Sequence, residues 1–294
     1  MPKCLLAAGV SHQLSRISLQ FCASKHLAHL RVIDCKMELV YHIHRTKSPI
    51  IATAIHDGHL LAAPLVDYMN LQEHERFREE DPYTAYLVDL PVSRIRVDTS
   101  RFQTDLNRRR EQAIYRKPED AWGLTVWRSA LPEEMVAQLL KEYDRFYADM
   151  AKLLEWTIAE FGKFVVLDIH SYNHRREHPM EMADGVENPE INVGTGCNRE
   201  RWKPFGHSMT RFLAHHHIDG RFLDARENVK FKGGGFSEWI NQHYGEYGCV
   251  LSLEFKKTFM DEWTGRVDVQ HLDQIRSMLM GCIPFLLDKL DDVA

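Results

Sequence analysis

Three polar motifs lie at or near the ends of three apolar runs of the chain. They are centred on His56, His170 and Glu254, and the apolar runs cover residues 50–55, 164–169 and 249–255. In α/β proteins with an open sheet, ligands bind beside the carboxyl ends of the strands. If the three runs are neighbouring strands, these motifs predict one shared functional site.

The histidines of these motifs have the chemistry of metal ligands. A neutral imidazole is a common ligand of Zn²⁺, and His56 precedes Gly58, which permits a sharp turn. Asp168 lies two residues before His170 on the same face of a strand, where its carboxylate can accept the other ring N–H. The structural alternatives are a loop histidine and a strand-end carboxylate bonded to the backbone. His59 could be a ligand, a group that orients a ligand or a solvent-exposed neighbour, and the second interpretation is favoured.

Carboxylates supply the rest of this chemistry. Glu254 lies within an apolar strand, where an ionised group is costly unless it is paired or has a function. Such a group could be a general base that takes a proton from water; the alternative is an ion pair with Lys256 or Lys257. The acidic cluster 79–81 is predicted to open a helix, either as a source of a metal ligand or as an acidic first turn favoured by the helix dipole.

Two basic segments could bind an anionic substrate. Arginines occupy positions 108–110, and one of them could hold a carboxylate through two parallel hydrogen bonds. A solvated basic turn is the alternative. The segment 231–235 offers Lys232 and the backbone N–H groups of a glycine run.

The elements that must position these residues alternate along the chain. Strands are predicted over 50–55, 93–97, 164–169 and 249–255 and within 222–232, and helices over 71–89, 132–161, 202–217, 237–243 and 269–290. Residues 180–196 are predicted to form a loop. Apolar strands separated by helices indicate one α/β domain with a mostly parallel or mixed sheet.

The composition is that of an ordinary soluble globular protein, with 44% hydrophobic and 27% charged residues in a chain of 294. The net charge of −5 gives no basic field for nucleic acid or an anionic membrane, and no run of about 18 apolar residues is present. The six cysteines form no C-x-x-C pair, which fits a reducing cytoplasm.

The first 36 residues differ from the rest because they are basic, contain several serines and reach their first acid only at Asp34. They are predicted to be an N-terminal extension, either a transit peptide or a translated region ahead of a start at Met37. Residues 37–294 are predicted to form a single domain.

Taken in order, the motifs resemble those of the N-formylglutamate amidohydrolase family. They are His56-Asp57-Gly58, Asp105-Leu106-Asn107-Arg108, Asp168-Ile169-His170-Ser171, Asn192-Val193-Gly194-Thr195, Phe231-Lys232-Gly233-Gly234 and Leu253-Glu254. The resemblance implies a zinc-exopeptidase-like fold, a three-layer α/β/α sandwich. It also implies that one Zn²⁺ ion serves the hydrolysis of a small anionic substrate, an N-acyl amino acid, with N-formyl-L-glutamate as the best candidate.

The resemblance further implies a role for each matched residue. The zinc ligands would be His56, Asp81 and His170, with Glu80 or Glu79 as alternatives to Asp81. Glu254 would be the general base, with Asp168 behind His170, and the substrate would be bound by Arg108, Asn192, Thr195 and Lys232.

The sequence departs from the family pattern in ways that concern the substrate. Ile55 replaces a usual proline, His59 is atypical, and the segment 172–176 is unusually basic. A peptidase, a cell-wall amidase and a non-catalytic small-molecule binder on the same fold are the alternative functions. No nucleic-acid or membrane partner is predicted, and the sequence does not indicate the oligomeric state.

Overall fold

Strands and helices alternate along residues 37–292, the part of the chain that this computed structural model describes; the predicted extension, residues 1–36, lies outside it. The strands are β1 (Tyr41–His44), β2 (Ile50–Ala54), β3 (Ser93–Val97), β4 (Phe164–Tyr172), β5 (Ile191–Gly194), β6 (His217–Ile218), β7 (Arg221–Phe222), β8 (Ala225–Glu227) and β9 (Gly248–Lys256). The helices are α1 (Ala63–Val66), α2 (Glu73–Glu79), α3 (Thr84–Leu87), α4 (Glu133–Phe161), α5 (Lys203–Ala214), α6 (Gly235–Tyr244) and α7 (Val269–Asp292). Short 3₁₀ turns cover Arg110–Gln112, Pro118–Ala121 and Glu200–Trp202.

Within this range, seven strands form a mixed sheet in the order β1-β3-β2-β4-β9-β5-β8, and β6 pairs with β7 separately. The strands β3, β2, β4 and β9 are parallel to one another. In contrast, β1 and β5 run antiparallel to β3 and β9. Because the central strands are parallel, the carboxyl ends of β2, β4 and β9 lie together at one edge of the sheet.

Helices cover both faces of this sheet. Alternate residues of β2, β4 and β9 pack against α3, α5 and α7 on one face and against α4 and α6 on the other. All nine residues of β4 are buried, as expected for a central parallel strand covered on both faces. The predicted α/β/α sandwich with a mixed central sheet is confirmed. None of the helices within 37–292 is long and apolar enough to cross a lipid bilayer.

The predicted helix over 71–89 is interrupted at a point that matters for the site. Residues 80–83 separate α2 from α3, because Pro82 disfavours a helical conformation at the residue before it. The acidic cluster 79–81 therefore lies at the end of a helix, and not at its start as predicted. Asp81 consequently lies on an irregular segment and not on a helix.

Two short strands of the seven-stranded sheet were not predicted. β5 lies within the predicted loop 180–196, and β1 precedes the first predicted strand. Each contains four residues, which is too few for the alternation of polar and apolar residues to be recognised.

The loop after His56 needs glycine at position 58 because of a close contact, and not because of a sharp turn. Gly58 is not among the residues with positive φ, but a Cβ atom at this position would overlap the backbone of Asp98. The neighbouring backbone N–H of Leu60 donates to the Asp98 carbonyl at 2.9 Å. Close contact between the two chain segments therefore fixes the path of this loop.

Candidate metal centre and active-site cavity

The three predicted metal ligands come together at the carboxyl edge of the sheet. His56 follows β2, His170 lies near the end of β4, and Asp81 lies between α2 and α3. One possible ligand atom from each residue lies within 4.8 Å of the others. Asp81 Oδ2 is 2.9 Å from Nδ1 of His170 and 3.4 Å from Nδ1 of His56. These three side chains could therefore hold a metal ion.

A carboxylate lies behind each histidine. His170 Nε2 is 3.0 Å from Asp168 Oδ2, and His56 Nε2 is 2.8 Å from Asp105 Oδ1. Because an ionised carboxylate can only accept, Nε2 is the donor in both rings, and Nδ1 faces Asp81. Asp168 occupies its predicted position. Asp105 was not predicted to contact a ligand, although it begins one of the motifs noted in the sequence.

The chemistry of this buried set fits a cation. Among the described residues, Nδ1 of His56 is buried without a hydrogen-bond partner, which is costly for a polar atom. Burial opposes the charged form of His170, yet the carboxylates of Asp168 and Glu254 hold its pKa well above the ordinary range. The site thus favours positive charge at the triad formed by His56, Asp81 and His170. Two imidazole nitrogens and one carboxylate are a typical donor set for Zn²⁺.

The other acids of the cluster have different partners. The carboxylate of Glu80 is buried and accepts a hydrogen bond from the Ser100 hydroxyl. Glu79 Oε2 is 3.0 Å from Nη2 of Arg176. Asp81 is therefore the acid of this cluster that faces the histidines.

His59 does not have the role that was predicted for it. Its Nδ1 bonds Glu80, and its backbone carbonyl accepts from Nη1 of Arg76 at 3.1 Å. These contacts place His59 beside Glu80 and not behind a ligand. The prediction that it orients a ligand is corrected, and the group behind His56 is Asp105.

Glu254 faces the triad from the adjacent strand. It lies opposite His170 in the parallel register of β4 and β9 and is 9% exposed. The suggested ion-pair partners are engaged elsewhere, because the ammonium groups of Lys256 and Lys257 donate to backbone carbonyls. Burial raises the pKa of Glu254 to about 7, and no hydrogen bond from the described residues offsets this effect. Its carboxylate is thus poised to exchange a proton at neutral pH.

These groups line one cavity of about 240 Å³. Its wall also carries Arg101, Arg108 and Arg176. The side chain of Arg101 is 10% exposed and lies 2.8 Å from Asp105, whereas the side chains of Arg108 and Arg176 are 39% and 40% exposed. A small cavity with half-exposed cations suits a small anionic molecule.

Of the four predicted substrate-binding residues, Arg108 lines this cavity and the other three do not. The buried amide of Asn192 bonds the backbone of residues 230–231. The hydroxyl of Thr195 bonds an acid of β8, and Lys232 is exposed. Asn192 and Thr195 therefore bond β8 and the loop that joins it to α6, and their role in substrate binding stays a prediction.

The glycine run after Lys232 supports the turn that carries Arg108. The backbone N–H of Gly235 donates to the carbonyl of Asn107 at 2.8 Å. A Cβ atom on Gly235 would lie 2.7 Å from the carbonyl carbon of Arg108. Gly235 therefore allows close packing of α6 on this turn, and its N–H group is bonded within the protein and is not presented to an anion.

Asp168→Asn is expected to weaken metal binding by about 10- to 100-fold, because an amide accepts the imidazole N–H less strongly than a carboxylate. Competition with a chromophoric chelator measures this affinity. As a control, Asp144→Asn removes a surface partner of Arg110 and should leave the affinity unchanged. Equal affinities of wild type and Asp168→Asn would contradict the assigned role.

The chain is similar to known proteins of one family. Residues 48–260 match the family described as N-formylglutamate amidohydrolase. The N-formylglutamate deformylase of Pseudomonas aeruginosa is 26% identical over 245 residues, which cover 77% of this chain and 87% of that protein.

Two solved structures share the fold. N-formylglutamate amidohydrolase from Ralstonia eutropha aligns with a TM-score of 0.69 at 14% identity, covering 85% of this chain and 99% of that one. A gene product of Agrobacterium tumefaciens aligns with a TM-score of 0.64 at 16% identity, covering 88% and 98%. Since the family match spans well over half of the sequence, the chain belongs to the N-formylglutamate amidohydrolase family.

Proposed function

We propose that this protein is a Zn²⁺-dependent amidohydrolase that converts N-formyl-L-glutamate to L-glutamate and formate. The observation that carries the proposal is the buried carboxylate of Glu254, which faces the His56–Asp81–His170 set across one small cavity. A Zn²⁺ ion held by that set would supply Lewis acidity towards an amide carbonyl and towards water.

In this mechanism Glu254 carries the proton. A carboxylate with a pKa of about 7 can accept and return a proton at neutral pH. Its oxygen takes a proton from the attacking water and then delivers it to the amine nitrogen as the C–N bond breaks. Arg108 holds the α-carboxylate of the substrate and keeps the amide in place for attack.

Two observations weigh against the alternative functions. A cavity of about 240 Å³ is at the small end of ligand pockets, which disfavours a peptide or cell-wall substrate. A non-catalytic binder would be favoured if Glu254 were neutralised by a salt bridge, and no described residue forms one with it.

A substrate panel combined with metal analysis tests the proposal. Purified protein should contain about one Zn²⁺ per chain and should hydrolyse N-formyl-L-glutamate faster than N-acetyl-L-glutamate or an uncharged dipeptide. Dialysis against a chelator should abolish turnover, and added Zn²⁺ should restore it. Full turnover by metal-free protein, or a preference for the dipeptide, would contradict the proposal.

A further inference from the structure

The basic segment after the Asp-x-His motif is held firmly at the edge of the cavity. The backbone N–H groups of His174 and Arg175 donate to the carboxylate of Glu262 at 2.9 and 3.0 Å. Arg78 Nη2 donates to the carbonyls of Arg175 and Arg176 at 3.0 Å each. The backbone position of Arg176 is therefore fixed from two sides.

The side chain of Arg176 reaches the cavity wall. Its Nη2 is 3.0 Å from Glu79 Oε2, and its guanidinium lies 5.8 Å from the ring centre of Trp122. Arg108 contacts the same part of the wall, since its Nη2 is 3.4 Å from the carbonyl of Asp120. Two half-exposed guanidinium groups thus flank the segment 120–122.

The two remaining cations of the wall are less available to a ligand. Arg101 donates to Asp105, to the Tyr115 hydroxyl and to a backbone carbonyl. The ammonium group of Lys257 donates to two backbone carbonyls at 2.6 and 2.7 Å. An anionic ligand can therefore be bound with least loss of existing contacts by Arg108 and Arg176.

We infer that Arg176 binds the side-chain carboxylate of the substrate and thereby selects N-acyl derivatives of dicarboxylic amino acids. This inference rests on the proposed function. Arg108 is linked to the ligand His56 through Asp105, which lies 3.9 Å from Arg108 Nε and also contacts His56. We therefore assign the α-carboxylate to Arg108. The α-carboxylate is the one closer to the reacting amide, so the second carboxylate falls to Arg176.

Glu79 is the internal competitor for this position. Its carboxylate is 6% exposed and accepts from Nη2 of Arg176, so an incoming carboxylate must share this guanidinium with it or replace it. Glu79→Gln removes both the competing charge and its repulsion of the ligand. We expect this change to lower KM for a dianionic substrate by about 3- to 10-fold.

The test compares N-formyl-L-glutamate with N-formyl-L-glutamine, which has nearly the same shape and lacks the second charge. Arg176→Gln should lower kcat/KM for the glutamate derivative by about 10- to 100-fold, the range for a lost charge-assisted hydrogen bond, and change the glutamine derivative by less than about 3-fold. Arg176→Lys should restore part of the preference. Calorimetric binding of L-glutamate relative to L-glutamine gives a second readout that does not depend on turnover.

Arg175→Gln is the matched control. Arg175 bonds Asp261 and the carbonyl of Pro179 and lines a separate, wider groove, so its loss should leave the substrate ratio unchanged. An equal loss for both substrates in Arg176→Gln would show a structural role and overturn the inference. A wild type that hydrolyses both substrates equally well would overturn the inference alone, whereas one that hydrolyses neither would overturn the proposed function as well.

Discussion

Glu254→Gln is expected to lower kcat by roughly 10²- to 10⁴-fold, the range for loss of a general acid–base group. The amide cannot accept a proton from water, yet it preserves the volume of the side chain. Because Glu254 faces the His–Asp–His set without belonging to it, bound Zn²⁺ should remain at the wild-type level. Steady-state kinetics with elemental analysis of the same preparation measures both quantities, and near-normal kcat would exclude Glu254 as the base.

The same variant should be more stable than the wild type in alkaline solution. Burial raises the pKa of Glu254 from 4.5 to about 7 in the folded protein, so folding binds a proton between these values and wild-type stability falls as pH rises through them. At pH 8 the free energy of unfolding of the variant should exceed that of the wild type by roughly 3 kcal/mol. This difference should vanish below pH 4.5. Thermal unfolding of the two metal-free proteins at pH 8 and below pH 4.5 measures this difference. If Glu254→Gln is less stable than the wild type at pH 8, Glu254 takes part in a structural ion pair.

Asp81→Asn is expected to abolish stoichiometric metal binding, because a neutral amide is a poor replacement for the carboxylate between two imidazoles. Metal ions contribute several kcal/mol of transition-state stabilisation in hydrolases, so turnover should fall by roughly 10³-fold or more. Elemental analysis and amide-hydrolysis kinetics measure the two effects.

Glu80→Gln is the matched control for this ligand. Glu80 is the preceding acid, is equally buried and contacts Ser100 and His59. Its replacement should keep the metal and retain most activity, although it will lower the unfolding temperature. Loss of Zn²⁺ from Glu80→Gln but not from Asp81→Asn would show that the wrong acid has been assigned.

The sequence by itself determined which strands carry the chemistry. Long apolar runs identified β2, β4 and β9, and the polar residues near their carboxyl ends became neighbours because parallel strands end at the same edge of a sheet. His56, His170 and Glu254 could be recognised because each stands out against an apolar strand. The family resemblance added Asp81, whose irregular backbone follows from the proline after it.

Only the tertiary structure decided which side chains surround that centre. Asp105 contacts His56 across 49 positions of sequence, and Arg176 meets Glu79 across 97; no local pattern encodes such pairs. Asn192, Thr195 and Lys232 belong to matched motifs, yet none of the three lines the cavity, and Asn192 and Thr195 are bonded to the segment 227–231 instead. Periodicity in a sequence fixes the face on which a residue lies within a long element, whereas the direction of a loop side chain depends on partners that folding brings from elsewhere in the chain.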